Sequence, residues 1–325
     1  MKNYFSFFIL FILVNLAAKA QQEPLFSNYM FLRSVTNHSF VGADETINAM
    51  FCNRTMFAGL GDGKAVTSIF GIESPVNFFG KKGGVGIIMM SDKIGYQQDV
   101  KVELSLAYHH RMENGTLGFG ASMGFNNYSI DATWSFPESD AGYYTWDQSD
   151  EYVPTQFSTI VFNVGVGAYY ETPKYYIGFL ASNLNRGVIS DVANSGAEYE
   201  YLYYAANFDL SGAYNIELPD PLFDLKPSFV LRTDLAAYML DLNATIFYKK
   251  RYWAGFGLRV SPANIASFTL LGGTELVNGL NVGYALDINT NGMINGGATS
   301  HEVVITYSFN IDTKRDMKYK SVRYL

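Results

Sequence analysis

The sequence has few charged residues, a single cysteine and no long apolar stretch after its first residues. Charged side chains make up 16% of the chain, whereas soluble domains usually contain roughly 25%. Cys52 is the only cysteine, so no disulfide can form within the chain. After residue 20, no apolar run approaches the roughly 18 residues that a membrane-spanning helix needs. The composition therefore excludes a disulfide-bonded scaffold and a helical membrane protein, and it is unusual for a soluble domain.

Motifs typical of enzymes, metal sites and nucleotide sites are also absent. There is no G-x-S-x-G nucleophile motif and no H-E-x-x-H zinc motif. His109 and His110 are adjacent on a predicted strand, so their side chains point to opposite faces and cannot bind one metal ion. Gly118-Phe119-Gly120 and Gly83-Gly84-Val85-Gly86 do not lead into a helix, and glycine on a crowded inner face explains them better than a phosphate loop. We predict a protein without catalytic residues, metal site or cofactor.

The N-terminus has the features of a secretory signal peptide. Lys2 supplies the positive charge, Tyr4 to Leu16 form the apolar region, and Ala18-Lys19-Ala20 is a cleavage site with small residues. A segment of this kind is removed from the exported protein. We therefore predict that residues 1–20 are a signal peptide and that the mature chain is exported.

Aromatic residues and glycine are abundant. The chain has 24 Tyr, 25 Phe and 30 Gly, and its mean hydropathy is +0.02. A transmembrane β-barrel combines an apolar outer band and aromatic girdles with a polar interior, which gives such a composition without any apolar helix. The net charge of −7 argues against a nucleic-acid partner. The composition thus favours a barrel in contact with lipid.

Residues 101–126 show the strand pattern most clearly. Apolar and polar side chains alternate along 101–112, the turn Glu113-Asn114-Gly115 follows, and the alternation resumes afterwards. Because successive side chains of a strand point to opposite faces, this is a hairpin with one apolar and one polar face. Its arms of roughly ten residues are long enough for tilted strands to cross a bilayer. A soluble sandwich would alternate in the same way, so other evidence must distinguish the two.

About fourteen such segments, one of them near residues 203–216, lie between residues 46 and 311, and the connections between them supply that evidence. If the first strand runs outward from the periplasm, the longest connections (129–157, 184–202 and 289–300) all lie on the outer side. Short periplasmic turns and long extracellular loops are typical of outer-membrane barrels, and a soluble sandwich gives no reason for them. We predict an all-β protein in which residues 46–311 form a transmembrane antiparallel up-and-down β-barrel.

Two segments lie outside this predicted barrel. Residues 21–45 lack clean alternation, and we expect them either to line or plug the lumen or to lie beneath it on the periplasmic side. Residues 312–325 form a tail that we expect in the periplasm. The tail is basic, with Lys314, Arg315, Lys318, Lys320 and Arg323.

Two groups of residues are candidates for function. The loop around residues 131–156 combines aromatic side chains with carboxylates, which favours packing against the barrel mouth or a partner. Its candidate partner-facing residues are Trp134, Tyr143, Tyr144 and Trp146. Charged residues of inward parity form the second group; we expect several to pair across the lumen, since an unpaired charge in a packed interior is costly, and solvated charges in an open pore are the alternative. These candidate lumen charges are Glu103, Arg111, Arg232, Asp234, Asp241, Lys249, Arg259 and Asp287.

Several short motifs are spread over the mature chain in a recognisable order. They are 21–31 (QQEPLFSNYMF), 37–42 (NHSFVG), 91–95 (SDKIG), 225–228 (LKPS), 241–243 (DLN), 252–255 (YWAG), 301–303 (HEV) and 322–325 (VRYL). Together they resemble the PorP/SprF-type outer-membrane proteins of the Bacteroidetes type IX secretion system. The sequence departs from that pattern at His38, where the family has proline, and at Asn53-Arg54-Thr55-Met56-Phe57, where it usually has R-N-Q-W.

The resemblance implies a non-enzymatic secretion accessory in the cell outer membrane. Such barrels act with the type IX machinery to export or display large surface proteins, often adhesins used in gliding motility, and each is often paired with one substrate. The implied partners are the C-terminal domain of a secreted surface protein, the periplasmic ring and other components of the machine, and outer-membrane lipid. A passive porin or a channel for hydrophobic solutes is the alternative that the barrel pattern leaves open.

Overall fold

The computed structural model describes residues 24–59, 64–78, 80–131, 156–192, 198–262, 265–290 and 299–309. Within this part of the chain, no helix is long and apolar enough to cross a membrane. The predicted signal peptide, the loop residues Trp134, Tyr143, Tyr144 and Trp146, and the tail 312–325 lie outside the described residues.

Short helices come first and are followed by strands. A 3-10 helix spans Tyr29–Phe31, the α-helix α1 spans Arg33–Thr36, and a second 3-10 helix spans His38–Phe40. The strands are β1 (Ile47–Met56), β2 (Ala65–Phe78), β3 (Lys81–Ile94), β4 (Gln97–Met112), β5 (Gly115–Asp131), β6 (Gln156–Glu171), β7 (Tyr175–Ser182), β8 (Val188–Val192), β9 (Glu198–Tyr203), β10 (Asn207–Tyr214), β11 (Ile216–Glu217), β12 (Phe223–Thr233), β13 (Tyr238–Tyr248), β14 (Tyr252–Val260), β15 (Ile265–Val277), β16 (Leu280–Asn289) and β17 (Thr299–Phe309).

The strands form a closed antiparallel barrel. Neighbours in sequence pair from β1 to β7 and from β12 to β17, while β10 joins β7 to β12 and β1 pairs with β17. The ring therefore has 14 strands, as the sequence predicted. The two-residue strand β11 only extends the edge beside β12. Because the ring closes, its strands leave no open sheet edge for the bilayer, where an unpaired backbone group would be costly.

The two ends of the barrel differ in their connections, as predicted. One end carries short turns, such as 113–114 and 249–251. The opposite end carries the long connections 132–155, 183–206 and 290–298. By the rule for outer-membrane barrels, the long-loop end faces the cell exterior and the short-turn end faces the periplasm.

One wall segment differs from its prediction. The pattern predicted a strand over 203–216 and a loop over 184–202, but β10 covers only Asn207–Tyr214 and the loop contains the hairpin β8–β9. The physical reason is that the alternating tyrosines near residues 199–204 do form a strand, but this strand pairs with β8 and not with the ring. Period-two alternation reports a strand without reporting its partner.

The hairpin of β4 and β5 shows how the two faces are used. Lys101 pairs with Asn126 in the ladder, and the side chains that the sequence assigned to the apolar face point outward. Leu104 is 54% exposed to the surroundings of the barrel, while its neighbour Glu103 is 2% exposed. An apolar face of this kind would be unfavourable in water, whereas hydrocarbon solvates it. The lumen side carries the polar and charged groups.

Candidate functional site

Residues 24–45, here called the lumen segment, contact inward-facing side chains on several sides of the ring. Leu32 is fully buried in a cluster with Cys52 of β1. Phe31 packs against Trp253 of β14, with 4.7 Å between the ring centroids. Helices of three or four residues are not stable alone. The wall contacts therefore determine the conformation of this segment.

Ser27 and Asn28 anchor the lumen segment to a group of charged side chains on the wall. Arg54 of β1 places Nη2 2.5 Å from Asp287 Oδ2 and Nη1 2.9 Å from Glu302 Oε2. Ser27 Oγ donates to Asp287 at 2.8 Å, and the backbone N–H groups of Ser27 and Asn28 donate to Glu302 at 2.8 and 2.7 Å. Two carboxylates exceed one guanidinium by a negative charge, and charge-assisted hydrogen bonds are the strong ones. The wall thus carries an excess negative charge at this point, and the lumen segment supplies further hydrogen-bond donors to it.

Arg259 extends this charge network along the wall. Its Nε and Nη2 donate to the two carboxylate oxygens of Asp241 at 2.7 and 3.1 Å. Its Nη1 lies 3.8 Å from Asp287 Oδ2, and Thr269 donates to Asp287 at 2.6 Å. Charges of both signs therefore alternate across β1, β16, β14 and β13. Satisfying each buried charge in this way avoids the large cost of an isolated one.

Uncharged contacts hold the next residues of the segment. Tyr29 Oη and Ser228 Oγ are 2.9 Å apart, and Asn243 Nδ2 donates to the Ser27 carbonyl at 3.4 Å. Burial raises the pKa of the Tyr29 hydroxyl above its ordinary value, so the group stays protonated. Tyr29 is therefore a neutral hydrogen-bonding anchor on β12.

Asn37 connects the end of α1 to the opposite side of the barrel. Its Oδ1 accepts hydrogen bonds from Ser39 N at 3.0 Å and Ser39 Oγ at 2.7 Å, which caps the second 3-10 helix. Its Nδ2 donates to the carbonyls of Ala168 at 3.2 Å and Phe179 at 3.1 Å. These carbonyls belong to paired residues of β6 and β7. One side chain thus shapes the helix and joins it to the wall.

Histidines make the contacts of the following turn. His38 Nδ1 lies 3.0 Å from Glu103 Oε1, and Lys101 Nζ lies 2.9 Å from Glu103 Oε2. The proline of the related motif has no side-chain group for such a contact, so His38 adds an anchor. His109 Nε2 is 2.9 Å from the Val41 carbonyl, which can only accept. This contact places a proton on Nε2 of His109.

Two wall glycines allow the lumen segment to approach the strands closely. A Cβ atom on Gly84 would lie 1.9 Å from the carbonyl oxygen of Val41. A Cβ atom on Gly120 would lie 2.5 Å from the backbone of Ser39. Side chains cannot occupy these positions without displacing the segment. The expectation that these glycines lie on a crowded inner face is confirmed.

Arg33 lies at the periplasmic face of the lumen segment. Its guanidinium stacks 4.2 Å from the centroid of Phe40 and 4.9 Å from that of Tyr176. Its Nη2 is 2.8 Å from Glu171, and Asp44 lies 3.8 Å from Nη1. Burial lowers the pKa of Arg33, but the two carboxylates outweigh burial and leave that pKa above its ordinary value. Arg33 is therefore a fixed positive charge between two aromatic rings.

Beneath the lumen segment, the periplasmic end of the barrel encloses a cavity of ≈ 780 Å³, here called the vestibule. The lumen segment forms its inner boundary, and the short turns of the wall form its rim. Its carboxylate lining residues are Asp44, Glu45, Glu73, Glu113, Glu171 and Glu275. Its basic lining residues are Arg33, Arg111 and Lys250. The vestibule is thus predominantly acidic.

Most of the predicted lumen charges lie on the inner wall. Glu103, Arg232, Asp241, Arg259 and Asp287 are buried or half-buried there. Beyond the pairs already described, Arg232 Nε donates to Asp209 Oδ1 at 2.8 Å.

The other three predicted lumen charges lie elsewhere. Arg111 is at the rim of the vestibule, where its 46% exposed side chain pairs with Glu45. Asp234 is in the turn between β12 and β13, and its carboxylate accepts backbone N–H groups of that turn at 2.9 and 2.7 Å. Lys249 is in the turn after β13, with φ +53°. For Asp234 and Lys249 the physical reason is that β12 and β13 end before these positions, so parity no longer directs the side chains. Arg111 is still in β4 and lies next to its last residue, at the periplasmic end of the lumen.

Sequence reasoning missed several important lumen residues. Arg54 and Glu302 form the centre of the Ser27 anchor, and Lys101 and Asp209 complete two other ion pairs. Glu302 had a usable signal, because it opposes the apolar residues of β17 in the alternation. Arg54 was harder to find, since the apolar pattern in β1 is weak around it.

Two solved structures of outer-membrane proteins are similar to this chain. The toluene transporter TbuX of Ralstonia pickettii matches with a TM-score of 0.50 and 10% identity, covering 85% of this chain and 93% of that chain. The outer membrane protein Omp33 of Acinetobacter baumannii matches with a TM-score of 0.48 and 7% identity, covering 82% of this chain and 98% of that chain. At such identities the likeness concerns the fold alone. A comparison with curated protein sequences found no match.

A family model gives a more specific result. The model described as "Type IX secretion system membrane protein PorP/SprF" matches residues 18–307. The short motifs that resemble this family also converge in space, because Ser27, Ser228, Asn243, Trp253 and Glu302 meet at the lumen segment. The chain is therefore an outer-membrane β-barrel that belongs to the PorP/SprF family of type IX secretion system membrane proteins.

Proposed function

We propose that this protein is a closed accessory barrel of type IX secretion, which supports export or surface anchoring of one specific large, adhesin-like surface protein. In this proposal, residues 24–45 act as a plug that stays in the lumen. The secreted protein is held or guided by the barrel and does not pass through it.

The anchoring of the lumen segment on two sides of the barrel carries the proposal. Arg54, Asp287 and Glu302 hold Ser27 on one side, and Asn37 bonds to carbonyls of β6 and β7 on another. Withdrawing the segment would remove the donors that Ser27 and Asn28 give to two buried carboxylates, and a buried acceptor that loses a donor is costly. If a large protein passed through the barrel, these contacts would have to break and re-form at each transport event.

The two faces of the barrel suggest where its partners bind. The long connections lie at the outer end, where a surface protein would be held. The vestibule opens at the opposite end, toward periplasmic components of the machine. We infer that the substrate's C-terminal domain and the periplasmic ring contact different ends of the same barrel.

A non-enzymatic role is also part of the proposal. The buried charges are used in ion pairs and in hydrogen bonds to the lumen segment. Within the described residues, no three His, Cys, Asp or Glu side chains are grouped to hold a metal ion. These contacts give the paired charges a role in anchoring.

Deletion of the gene provides the direct test. We expect one or a few large proteins to disappear from the cell surface and to reappear when the wild-type gene is restored. Quantitative proteomics of surface-labelled cells measures this, with total outer-membrane protein as the reference. An unchanged surface proteome would contradict the proposal.

Conductance separates the proposal from a passive porin or a hydrophobic-solute channel. The purified barrel in planar bilayers should show little steady current, because the lumen segment occupies the pore. A stable, solute-selective current from the wild-type protein would favour the channel alternative.

A further inference from the structure

The vestibule presents carboxylates that have no ion-pair partner among the described residues. Arg111 pairs with Glu45, which also pairs with Lys82, and Arg33 pairs with Glu171. These contacts leave Glu73, Glu113 and Glu275 among the lining carboxylates without an ion pair to any described residue.

Glu73 is the most informative of these groups. It is 6% exposed and its Oε1 accepts a hydrogen bond from Asn48 Nδ2 at 2.9 Å. Its Oε2 has no hydrogen-bond partner in the part of the chain that the structure describes. Buried carboxylate oxygens normally have donors, because leaving one without a partner costs free energy. Glu73 is therefore a buried acceptor that the described residues satisfy only in part.

The rim carboxylates are similarly available. Glu113 is exposed in the turn between β4 and β5. Glu275 Oε1 accepts the backbone N–H of Gly279 at 2.7 Å. Together with Glu73 they line one cavity that also has apolar walls, including Met50 and Met112. A basic segment with some apolar side chains would match this lining.

The chain itself contains such a segment next to the vestibule. Thr306 and Ser308 of β17 line the cavity, so the chain after Phe309 begins at the rim. Residues 310–325 carry five basic residues and two aspartates, which gives a net charge of +3 (5 − 2). The apolar residues among them are Ile311, Met317, Tyr319, Val322, Tyr324 and Leu325.

The length of the tail is sufficient. Fourteen strands spaced about 4.8 Å apart and tilted by about 40° give a barrel roughly 28 Å across. Nine extended residues, from Phe309 to Lys318, reach about 30 Å. The basic side chains can therefore reach every wall of the vestibule without any change in the barrel.

We propose that the vestibule is the docking site of this chain's own basic tail, residues 312–325. The lysine and arginine side chains pair with Glu73, Glu113 and Glu275.

Cysteine pairs in the full-length chain test this docking, and C52S removes the only native thiol. The test variant combines E113C with K318C, and the matched control combines E217C with K318C. Glu217 is exposed at the same end of the barrel, but it does not line the vestibule. In detergent, we expect the E113C–K318C disulfide to form about tenfold faster than the control, because docking raises the effective concentration of the two thiols. At 1 M salt the difference between the two rates should shrink, because the Debye length is then about 3 Å and the charges are screened.

A second measurement examines the same docking without cross-linking. A maleimide reagent should label E275C about fivefold faster when Lys314, Arg315, Lys318, Lys320 and Arg323 are all replaced by Gln, because their charges hold the tail in place. The difference in gel mobility between unheated and heated samples verifies that the barrel of each variant is folded. Equal cross-linking rates for both pairs together with equal labelling rates would overturn the proposal. Disulfides formed mainly between two chains would also overturn it, because the occupant would then be a second copy.

Discussion

Arg54 and Asp287 form a buried ion pair across the β1 and β16 strands, and Ser27 of the lumen segment completes it. Nη2 of Arg54 is 2.5 Å from Oδ2 of Asp287, and each side chain is 1% exposed. Ser27 Oγ contacts both partners, at 3.0 Å from Arg54 and 2.8 Å from Asp287. The wall and the lumen segment are therefore joined through one charged cluster, which makes stability and closure interdependent.

Removal of the guanidinium should be strongly destabilising. Arg54→Ala leaves the carboxylates of Asp287 and Glu302 buried with too few donors, and breaking a buried pair costs about 3–5 kcal/mol. We expect a loss of this size in the free energy of unfolding, measured by urea unfolding of the barrel in lipid vesicles.

Two further variants check the electrostatic reason for the Arg54 effect. Lys93→Ala removes an exposed charge from the outer end of β3 and should stay within about 0.5 kcal/mol of the wild type. Adding Asp287→Asn to Arg54→Ala should recover part of the lost stability, because it removes an unpaired charge. If Arg54→Ala and Lys93→Ala cost the same, the cluster does not stabilise the fold.

A methyl group at Gly84 should loosen the lumen segment. Its Cβ would lie 1.9 Å from the Val41 carbonyl, so the segment must move away from β3 in Gly84→Ala. Overpacking of this kind typically costs about 1–3 kcal/mol. We expect a larger conductance in planar bilayers than for the wild-type protein.

Gly272→Ala is the matched control for the Gly84 experiment. The Cβ at Gly272 meets only the Trp253 carbonyl, at 3.3 Å, and this substitution should leave the current unchanged. Equal conductance for the two variants would show that close packing at Gly84 does not keep the lumen closed.

The wall of the barrel was predictable because its determinants are local. Alternation in segments such as 101–126 reports which side chains face lipid, and loop length reports which end is outside. The ring of 14 strands followed from these two signals. The predicted strand over 203–216 was wrong in extent, because alternation does not reveal whether a strand such as β9 pairs with the ring.

The site was less predictable because it depends on pairs that are distant in sequence. Ser27 meets Glu302 across 275 positions, and no spacing rule connects them. Parity identified one partner of several pairs, such as Asp287 and Arg232, but not Arg54 or Asp209. Parity also failed at Asp234 and Lys249, where backbone turns and not pleats direct the side chains.

Charge on the lipid face should be destabilising in a depth-dependent way. Leu104 lies on the outward face of β4 and is 54% exposed there. Leu104→Arg should cost about 2–4 kcal/mol if this position is near the middle of the bilayer, whereas a position near the interface costs about 0–1 kcal/mol. Urea unfolding of Leu104→Arg and of a variant near the interface, both in lipid vesicles, measures the difference.

Gln98→Arg is the interface control for Leu104→Arg, because Gln98 lies on the same face near the outer end of β4. Similar costs for both substitutions would mean that the apolar belt does not mark the position of the membrane on this strand.

A covalent link between the lumen segment and the wall should leave secretion intact. The Cβ of residue 86 would lie 3.1 Å from Val41 Cγ1, the place that a sulfur on residue 41 would take, so a sulfur on residue 86 can reach it at the disulfide S–S distance of about 2.05 Å. The pair V41C–G86C in a C52S background should therefore form a disulfide. A closed accessory barrel works with its lumen segment in place, so the amount of substrate on the cell surface should be the same with and without a reductant.

The single variants V41C and G86C separate the effect of the link from the effect of each substitution. Surface labelling of the substrate that the deletion experiment identifies provides the measurement for all three strains. If the double variant lost surface display and dithiothreitol restored it, the lumen segment would have to move during each export cycle. The barrel would then be a conduit, and the anchoring of Ser27 and Asn37 would describe its resting state only.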